Sequence, residues 1–235
     1  MKVLITGATR GIGKAIYNEL SNVFDVYVTA RNEETLKSLG AKGYFVCDLG
    51  VNDYVKELCN YIKNVGFDII INNAGEYIYG AIDEMNSDKI SSIYGVNLIS
   101  PVKIISSAVP YMKEKKWGRI INIGSISGVM GEACASLYSS TKAGLIGLTK
   151  ALALELAEYN ITVNTVNPGW VDTDLGNESV DESDFTKEEI IDCIPQRRFV
   201  EPKEVASLVK YLISDEAKGI TGQSINLCAG LSVGI

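Results

Sequence analysis

A tyrosine and a lysine stand four residues apart, at Tyr138 and Lys142, and Ser125 lies thirteen residues before the tyrosine. On a helix, residues four apart share one face. An ammonium group beside a phenol stabilises the phenolate, which lowers the phenol pKa from its ordinary value of about 10. Tyr138 is therefore a candidate proton donor and acceptor for chemistry that interconverts a carbonyl and an alcohol.

The spacing of this pair is not distinctive by itself, because a second pair, Tyr111 and Lys115, shares it. The second pair lies in a run of charged residues that is typical of a solvated helix end. Only Tyr138 follows a strand-like run that ends in a glycine and Ser125. The surrounding sequence therefore favours Tyr138 as the reactive group.

The chain has no histidine. This excludes a Ser-His-Asp triad, a Cys-His nucleophile and every metal site that needs a histidine ligand, so no metal is expected. Proton transfer must then fall to tyrosine, lysine, cysteine or a carboxylate. Ser125 is not a hydrolase nucleophile of the usual kind, which strengthens the interpretation of Tyr138 and Lys142.

Length and composition indicate one large domain. The chain has 235 residues, of which 46% are hydrophobic and 22% charged, as expected for an α/β domain with a substantial core. Its net charge of −7 argues against nucleic acid as a general partner, because phosphate neutralisation needs a basic face. We find no apolar run of the roughly 18–20 residues that cross a bilayer, so no membrane partner is expected.

The cysteines and the first residues favour a cytoplasmic location. The five cysteines form neither CxxC pairs nor a disulfide framework, which suits a reducing compartment. Residues 1–7 lead directly into a strand and a glycine turn, without the features of a signal peptide. We therefore expect a cytoplasmic protein.

Strand-like runs alternate with amphipathic helical stretches along the whole chain. The predicted strands cover residues 3–6, 26–30, 43–47, 67–71, 119–123, 162–166 and 224–227. The predicted helices lie near residues 12–22, 33–39, 53–65, 87–115, 136–159 and 203–214. Fully apolar strands indicate a sheet covered on both faces. The sequence thus predicts a single α/β domain over residues 1–235, with a Rossmann-like, doubly wound, mainly parallel seven-stranded sheet and helices on both faces.

An acidic insertion interrupts the alternation between residues 172 and 192. It contains one lysine, Lys187, and nine carboxylates, which are Asp172, Asp174, Glu178, Asp181, Glu182, Asp184, Glu188, Glu189 and Asp192. A polar insertion after the carboxyl end of a strand could cover a ligand cleft, although a solvated surface helix has the same composition. Its position favours a substrate lid at about residues 172–200.

The first predicted strand ends in a glycine-rich turn that opens the first helix. The glycines Gly7, Gly11 and Gly13 have the spacing G-x-x-x-G-x-G. Glycines permit a close approach of the backbone to a pyrophosphate, and the helix N-terminus supplies N–H donors. Three glycines in a loop are common, but in the first βα turn of an alternating chain they indicate a dinucleotide site.

Two arginines favour the phosphorylated dinucleotide. Arg10 lies at a helix N-terminus, where a cation opposes the macrodipole and is expected to serve an anion. Arg31 ends the second strand, where binders of the unphosphorylated cofactor usually place an acidic residue. Two guanidinium groups suit a 2′-phosphate, so we expect NADP(H), with NAD(H) as the other possibility. Alternatively, Arg31 only pairs with Glu33 or Glu34.

With these motifs in order, the chain resembles the short-chain dehydrogenase/reductase family in its compact single-domain form, over essentially its whole length. The matching pieces are the turn 6–13, Asp48-Leu49, Asn72-Asn73-Ala74-Gly75, Asn97, Ser125, Tyr138-x-x-x-Lys142, Pro168-Gly169 and Thr173. Their joint occurrence in this order is very specific. The pattern is similar to that of 3-oxoacyl-carrier-protein reductases and carbonyl reductases.

The resemblance implies which residues bind the cofactor. They are Gly7, Thr9, Arg10, Gly11, Ile12, Gly13, Arg31, Asp48, Leu49, Asn73, Ala74, Gly75, Tyr138, Lys142, Pro168, Gly169, Val171 and Thr173. Asp48 would meet the adenine, and residues 73–75 would form the backbone wall beside the adenosine ribose. Residues 168–173 would cradle the nicotinamide, with Thr173 near its carboxamide.

The resemblance also implies four catalytic residues, Asn97, Ser125, Tyr138 and Lys142. Tyr138 would protonate the developing alkoxide while a hydride from NADPH reaches the carbonyl carbon, and the same groups would serve the reverse oxidation. Lys142 would hold the nicotinamide ribose and lower the Tyr138 pKa. Ser125 would donate to the substrate oxygen, and Asn97 would order a water in the proton relay.

Other functions stay open on the sequence. Within the enzyme class they are a 3-oxoacyl-carrier-protein reductase and a sugar or polyol dehydrogenase; outside it, a dinucleotide-sensing regulator. Residues 194–202 resemble the corresponding segment of 3-oxoacyl-carrier-protein reductases. The acidic insertion before these residues, however, would repel an acidic carrier protein. The four catalytic residues argue against a pure sensor. We therefore expect a small carbonyl or alcohol substrate.

Assembly is expected from the family rather than from the residues. Similar proteins usually form homotetramers, and an apolar stripe on the predicted helix 136–159 could support a homotetramer or a homodimer. Burial in the core explains the same stripe equally well. The last predicted strand ends in Cys228-Ala229-Gly230 where family members often have Asp-Gly-Gly, which is a departure close to the usual subunit contact.

Overall fold

A computed structural model describes residues 1–182 and 185–233. Its seven strands are β1 (Lys2–Thr6), β2 (Asp25–Ala30), β3 (Gly43–Val46), β4 (Ile69–Asn72), β5 (Gly118–Ile123), β6 (Ile161–Pro168) and β7 (Ser224–Leu227). They form one sheet in the order β3-β2-β1-β4-β5-β6-β7, and every neighbouring pair is parallel. The predicted seven-stranded parallel sheet is confirmed.

Helices connect the strands on both faces of the sheet. They are α1 (Gly11–Leu20), α2 (Glu33–Ser38), α3 (Asn52–Val65), α4 (Ser87–Tyr94), α5 (Ser100–Lys115), α6 (Ser127–Met130), α7 (Ser136–Leu156), α8 (Asp174–Glu182), α9 (Lys187–Cys193) and α10 (Pro202–Leu212). A π-helical segment, Gly95–Ile99, joins α4 to α5 without a break. Single-turn 3₁₀ helices cover Ile82–Glu84, Ala157–Tyr159 and Asp215–Ala217.

The two faces of the sheet carry separate hydrophobic cores, which explains why consecutive residues of a strand can both be apolar. Successive side chains of a strand point to opposite faces. In β1, Val3 and Ile5 pack into the core under α1 and α10, whereas Leu4 packs into the core under α3, α5 and α7. All three side chains are fully buried. The sheet is therefore covered on both sides, as the sequence predicted.

The strand order reverses between β1 and β4, because β2 and β3 extend the sheet on one side and β5 to β7 on the other. In doubly wound sheets, ligands bind in the crevice outside the carboxyl ends of the strands at such a reversal. The glycine turn follows β1, residues 73–75 follow β4 and Ser125 follows β5. The topology thus brings the predicted site residues to one edge of the sheet.

The acidic insertion is folded in the part that the structure describes. It contributes α8 and α9, and a small third core forms from Val180, Ile190, Ile194 and Phe199, with Trp170 packed against it. Asp184, one of the nine carboxylates of this insertion, lies outside the described residues. The sequence predicted the insertion but not its helices.

One continuous helical segment, residues 87–115, is long and apolar enough by length and composition to cross a membrane. We found no such run in the sequence. Core helices of soluble proteins pass the same test, and here Ile104, Ile105 and Met112 of α5 pack into the core beneath the sheet. The segment therefore has a structural explanation within the fold.

Candidate active site

The glycine turn after β1 is held by residues that follow β4. Gly7 has a φ of +67°, in the left-handed region that favours glycine. Asn73 Nδ2 donates to the carbonyl oxygens of Thr6 and Gly7 at 2.9 and 3.0 Å. A Cβ on Gly13 would lie 2.2 Å from the carbonyl oxygen of Gly7. The turn therefore has a fixed shape that larger residues cannot adopt.

The N-terminus of α1 faces the same edge and fits an anion. Arg10 is its N-cap residue, its side chain makes no capping hydrogen bond, and the first turn has no acidic residue. The first amides of a helix have no partner within the helix, so these donors suit a phosphate group. The Arg10 guanidinium lies 3.8 Å from the carboxylate of Asp174 at the start of α8.

Tyr138, Lys142 and Ser125 meet at the carboxyl end of β5. Lys142 Nζ donates to the carbonyl oxygen of Ile123 at 2.9 Å and lies 5.5 Å from the centroid of the Tyr138 ring. Ser125 and Tyr138 both line the cavity, and the Ser125 hydroxyl is close enough to that of Tyr138 to influence its pKa. The helical spacing in α7 thus brings together the three side chains that the sequence singled out.

Burial shifts the pKa of both ionisable groups. It raises the pKa of Tyr138 to about 12; the neighbouring Ser125 hydroxyl opposes this shift and the negative charge of Glu132 adds to it. Burial lowers the pKa of Lys142 to about 8. The expected lowering of the Tyr138 pKa is therefore not found in the protein alone. Tyr138 is a neutral phenol, which is the form that donates a proton.

Asn97 occupies the π-helical segment, a type of irregularity that is frequent at functional sites. Its Oδ1 accepts from the N–H of Glu76 at 2.8 Å, and its Nδ2 donates to the Glu76 carbonyl at 2.8 Å and to Thr141 Oγ1 at 3.2 Å. The side chain is buried and is not part of the cavity wall formed by the described residues. Asn97 thus fixes the loop after β4 to α7.

A cavity of 1370 Å³ runs along this edge of the sheet. Every predicted cofactor-binding residue from Gly7 to Thr173 lines it, together with Ser125. Pockets for drug-sized ligands are about 300–1,000 Å³, so this cavity has room for a dinucleotide and a small substrate. In residues 1–182 and 185–233, no group of three or more metal-ligating side chains is found.

The outer end of the cavity contains Arg31 and Asp48. Arg31 is exposed and forms no ion pair among the described residues, because Glu33 binds Lys37 at 3.0 Å and the Tyr44 hydroxyl at 3.0 Å instead. The alternative interpretation of Arg31 as a partner of Glu33 is thus not supported. Asp48 Oδ1 accepts from the N–H of Gly50 at 2.9 Å, which shapes the turn after β3.

The segment after β6 closes the other end. The N–H of Gly169 donates to the Leu227 carbonyl at 3.0 Å, and a Cβ on Gly169 would lie 2.9 Å from the backbone of Cys228. Thr173 Oγ1 accepts from the N–H of Gly176 at 3.1 Å in the first turn of α8. These contacts fix Gly169 against the end of β7 and Thr173 against the first turn of α8.

The cavity wall contains a hydrogen-bonded chain that the sequence did not predict. Ser125 Oγ donates to Ser127 Oγ at 3.1 Å, and Ser127 Oγ donates to Glu132 Oε2 at 2.6 Å. The hydroxyl of Tyr77 donates to Glu132 Oε1 at 2.7 Å, and the rings of Tyr77 and Tyr138 pack edge to face at 5.0 Å. The only signal in the sequence was polar residues between Ser125 and Tyr138.

A second missed feature is a buried polar layer beneath the site. Asn72 Nδ2 donates to Asn122 Oδ1 at 2.9 Å, and Asn122 Nδ2 donates to Thr149 Oγ1 at 2.9 Å. Thr149 Oγ1 also shares a hydrogen bond of 2.7 Å with Thr165 Oγ1. All four side chains are buried. The layer connects β4, β5 and β6 to the helix that carries Tyr138.

Comparison with known proteins decides the family. The family model of the short chain dehydrogenases matches residues 1–184. This protein is a short-chain dehydrogenase/reductase. The predicted family is thereby confirmed, and the chain is an oxidoreductase that depends on a nicotinamide dinucleotide and acts on carbonyl and alcohol groups.

Relatives of this short-chain dehydrogenase/reductase match almost its whole length. A putative ketoacyl reductase of the granaticin polyketide synthase from Streptomyces violaceoruber is 38% identical, over 97% of this chain and 92% of the relative. The 3-oxoacyl-[acyl-carrier-protein] reductase FabG of Staphylococcus epidermidis is 35% identical, over 97% of both chains.

Two solved structures have the same fold. A variant of the actinorhodin polyketide ketoreductase with NADPH has a TM-score of 0.89 and 34% identity, over 98% of this chain and 96% of the other. YwfH, an NADPH-dependent reductase of bacilysin biosynthesis, has a TM-score of 0.92 and 28% identity, over 100% of this chain and 99% of the other.

Proposed function

We propose that this protein reduces a small ketone or aldehyde with NADPH, with Tyr138 as the proton donor. The observation that carries the proposal is the convergence of Tyr138, Ser125 and Lys142 in the same cavity as the glycine turn. A neutral phenol beside Ser125 is suited to protonate an oxygen that Ser125 also contacts.

The residues that line the cavity fit the dinucleotide. The amides at the start of α1 suit its pyrophosphate, and Arg10 and Arg31 suit a 2′-phosphate. NADPH, when bound, supplies the hydride. The names of both structural relatives include NADPH, which supports NADP(H) over NAD(H). Asp48 and residues 73–75 would contact the adenosine part, and residues 168–173 the nicotinamide part.

Lys142 would act on Tyr138 through its charge. With a pKa lowered to about 8, the amine is mainly protonated at neutral pH. An ammonium group close to the ring favours the phenolate that remains after Tyr138 has given up its proton. Asn97 would act as a positioning residue through its hydrogen bonds to Glu76 and Thr141; its predicted role in ordering a water stays a prediction.

The segment 172–200 would act as the substrate lid of a single domain that comprises the whole chain. Leu175, Phe185, Ile190 and Cys193 line the cavity from this segment. Lys187 pairs with Asp172 at 3.6 Å and lies 4.9 Å from the centroid of the Phe199 ring. These contacts join the start of α9 to the segment after β6, and the insertion would cover the cavity mouth and exclude water during reduction.

A second candidate is a 3-oxoacyl-carrier-protein reductase, because several relatives carry this name. The acidic insertion is unfavourable for an acidic carrier protein, because like charges repel. We therefore place a small carbonyl compound first.

We also propose a cytoplasmic homotetramer, which size-exclusion chromatography with light scattering would test.

The proposal is tested by following NADPH oxidation with small ketones, acyl thioesters and sugars as substrates. Wild type should reduce at least one small ketone, and Tyr138→Phe, which keeps the ring and removes the proton, should lose about a hundredfold or more of kcat. Activity of the phenylalanine variant within a few-fold of wild type would refute the role of Tyr138. Cofactor binding without any turnover would favour the sensor instead.

A further inference from the structure

A carboxylate without a counter-charge lies in the wall of the cavity. Glu132 is half-buried, and its two oxygens accept hydrogen bonds from the hydroxyls of Tyr77 and Ser127 at 2.7 and 2.6 Å. Both donors are neutral. Within the described residues, Glu132 belongs to no ion pair. An ionised carboxylate has about four acceptor positions, so two of them stay available to a ligand.

This carboxylate lies close to the reacting atoms. Only Ser127 separates it from Ser125, through hydrogen bonds of 2.6 and 3.1 Å. On its other side, the ring of its partner Tyr77 packs against Tyr138 at 5.0 Å. Reduction of a carbonyl places negative charge on the oxygen next to Ser125 and Tyr138. A fixed negative charge nearby opposes that step unless a positive charge lies beside it.

The cavity itself supplies no such positive charge near Glu132. Its lining contains three cationic side chains among the described residues, which are Arg10, Arg31 and Lys142. Arg10 and Arg31 belong to the glycine turn and the end of β2, at the cofactor end of the cavity. Lys142 is bound to the Ile123 carbonyl and is not an ion-pair partner of Glu132. A cationic group on the substrate would supply the missing charge.

The remaining wall suits a cationic nitrogen. The aromatic residues that line the cavity are Tyr77, Tyr79, Tyr138, Trp170 and Phe185. Alkylammonium groups bind favourably to aromatic faces, and more strongly when a carboxylate is adjacent. A neutral substrate without a hydrogen-bond donor would gain nothing from Glu132, and an anionic one would be repelled by it.

We propose that Glu132 is a specificity residue that selects carbonyl substrates with a cationic nitrogen close to the C=O group. This inference rests on the proposed carbonyl reduction. Since Ser127 alone separates Glu132 from Ser125, the nitrogen has to be within a few bonds of the carbonyl carbon. The cation of the substrate then offsets the charge of Glu132 both on binding and as the alkoxide develops. The charge on the substrate therefore affects both kcat and KM.

The test uses three ketones of similar size in NADPH oxidation assays. Acetonyltrimethylammonium is permanently cationic, neopentyl methyl ketone is its neutral isostere, and acetoacetate is anionic. We expect wild-type kcat/KM to be at least about tenfold higher for the cation than for the neutral ketone, and lowest for acetoacetate. In Glu132→Gln, kcat/KM for the cation and for the neutral ketone should differ by no more than about threefold, and kcat/KM for acetoacetate should rise.

The matched control is Glu114→Gln, which removes the same charge from the exposed end of α5, beside the Lys115 that binds Asp68 before β4. That position is at the opposite edge of the sheet, so this variant should keep the wild-type preference. Thermal unfolding of both variants checks that they are folded. A wild type that prefers the neutral ketone, or a Glu132→Gln variant with an unchanged preference, would overturn the inference.

A binding measurement separates this inference from the proposed function. Calorimetry with β-methylcholine, the alcohol form of the cationic ketone, needs no turnover. We expect it to bind wild type at least about tenfold more tightly than Glu132→Gln. Equal binding to the two proteins refutes the role of Glu132. If none of the ketones is reduced but the two proteins differ in their binding of β-methylcholine, the proposed reduction is refuted. The cation site at Glu132 is then still supported.

Discussion

Lys142 Nζ donates a hydrogen bond of 2.9 Å to the main-chain carbonyl of Ile123, the last residue of β5. This bond joins α7 to the strand end that leads into Ser125. Tyr138 lies one turn earlier on the same helix, so its hydroxyl is held beside Ser125. The lysine therefore has a structural contact as well as an electrostatic effect on Tyr138.

The first prediction concerns the pH dependence of stability that Lys142 causes. Burial lowers its pKa in the folded protein from 10.5 to about 8. Below pH 8 the Lys142 amine is protonated in both the folded and the unfolded state. The free energy of unfolding is then lowered by the full cost of burying the ammonium charge. Between pH 8 and 10.5 the unfolded state binds more protons, so the contribution of Lys142 to stability rises with pH.

Urea unfolding of wild type and Lys142→Met measures this effect. The free energy of unfolding of wild type minus that of the variant should increase by about 2 kcal/mol from about pH 7 to about pH 10. Other groups that titrate in this range, such as Cys47 and Tyr138, are present in both proteins and cancel in the difference. A difference that is constant or falls with pH would contradict the assignment.

The second prediction concerns the choice of cofactor. Arg31 lines the cavity and has no carboxylate partner among the described residues. Arg31→Ala should weaken NADPH binding by about ten- to a hundredfold and leave NADH binding within about threefold, because only NADPH carries the 2′-phosphate. Cofactor fluorescence titration measures both affinities.

Lys42→Ala is the control for this experiment. Lys42 is an exposed cation that pairs with Asp25 at 3.8 Å at the amino end of β2, away from the cavity. This variant should keep both affinities. If wild type binds NADH more tightly than NADPH, the inference that Arg10 and Arg31 select the phosphorylated cofactor is wrong.

Much of the fold follows from local patterns, which is why it was predicted. In the strand Ile69–Asn72, the three isoleucines are buried on both faces of the sheet, which explains their uninterrupted apolar run. The glycine turn and Tyr138 with Lys142 carry their signal in fixed spacings. Within the described residues, these spacings place the expected side chains in one cavity.

What the sequence did not reveal depends on contacts between distant segments. The π-helical segment contains Asn97, whose amide binds the backbone of Glu76 in a different loop. Glu132 and Tyr77 are 55 residues apart and meet only because β4 and β5 are neighbours. The pKa of Tyr138 likewise depends on burial, which opposes the effect expected from a lysine one turn away.

The third prediction compares two glycines. A Cβ on Gly13 would lie 2.2 Å from the Gly7 carbonyl oxygen, whereas a Cβ on Gly147 would meet no atom within 4 Å. Gly13→Ala should distort the turn and abolish dinucleotide binding or folding. Gly147→Ala, in the interior of α7, should stabilise the protein by about 0.5–1 kcal/mol, because alanine loses less backbone entropy than glycine in a helix.

Cofactor titration and thermal unfolding of both variants measure these effects. A Gly13→Ala protein that binds NADPH as wild type does would show that the close approach of the turn to α1 is not required. A destabilised Gly147→Ala protein would show that this face of α7 is covered in solution, for example by another subunit.

The fourth prediction concerns the polar layer that supports α7. Thr149 Oγ1 accepts from Asn122 Nδ2 at 2.9 Å and shares a hydrogen bond with Thr165. Thr149→Val keeps the shape of the side chain but leaves the Asn122 amide buried without this acceptor. The variant should lose about 1–3 kcal/mol of unfolding free energy, which is the cost of an unsatisfied buried polar group.

Thr162→Val is the matched control, because the hydroxyl of Thr162 is buried in β6 without a hydrogen-bond partner among the described residues. The same substitution there removes a buried polar group that binds nothing, so stability should be unchanged or slightly higher. Urea unfolding of the two variants separates a specific role of the layer from a general effect of valine. Equal losses at both positions would show that the bond to Asn122 does not hold α7 in place.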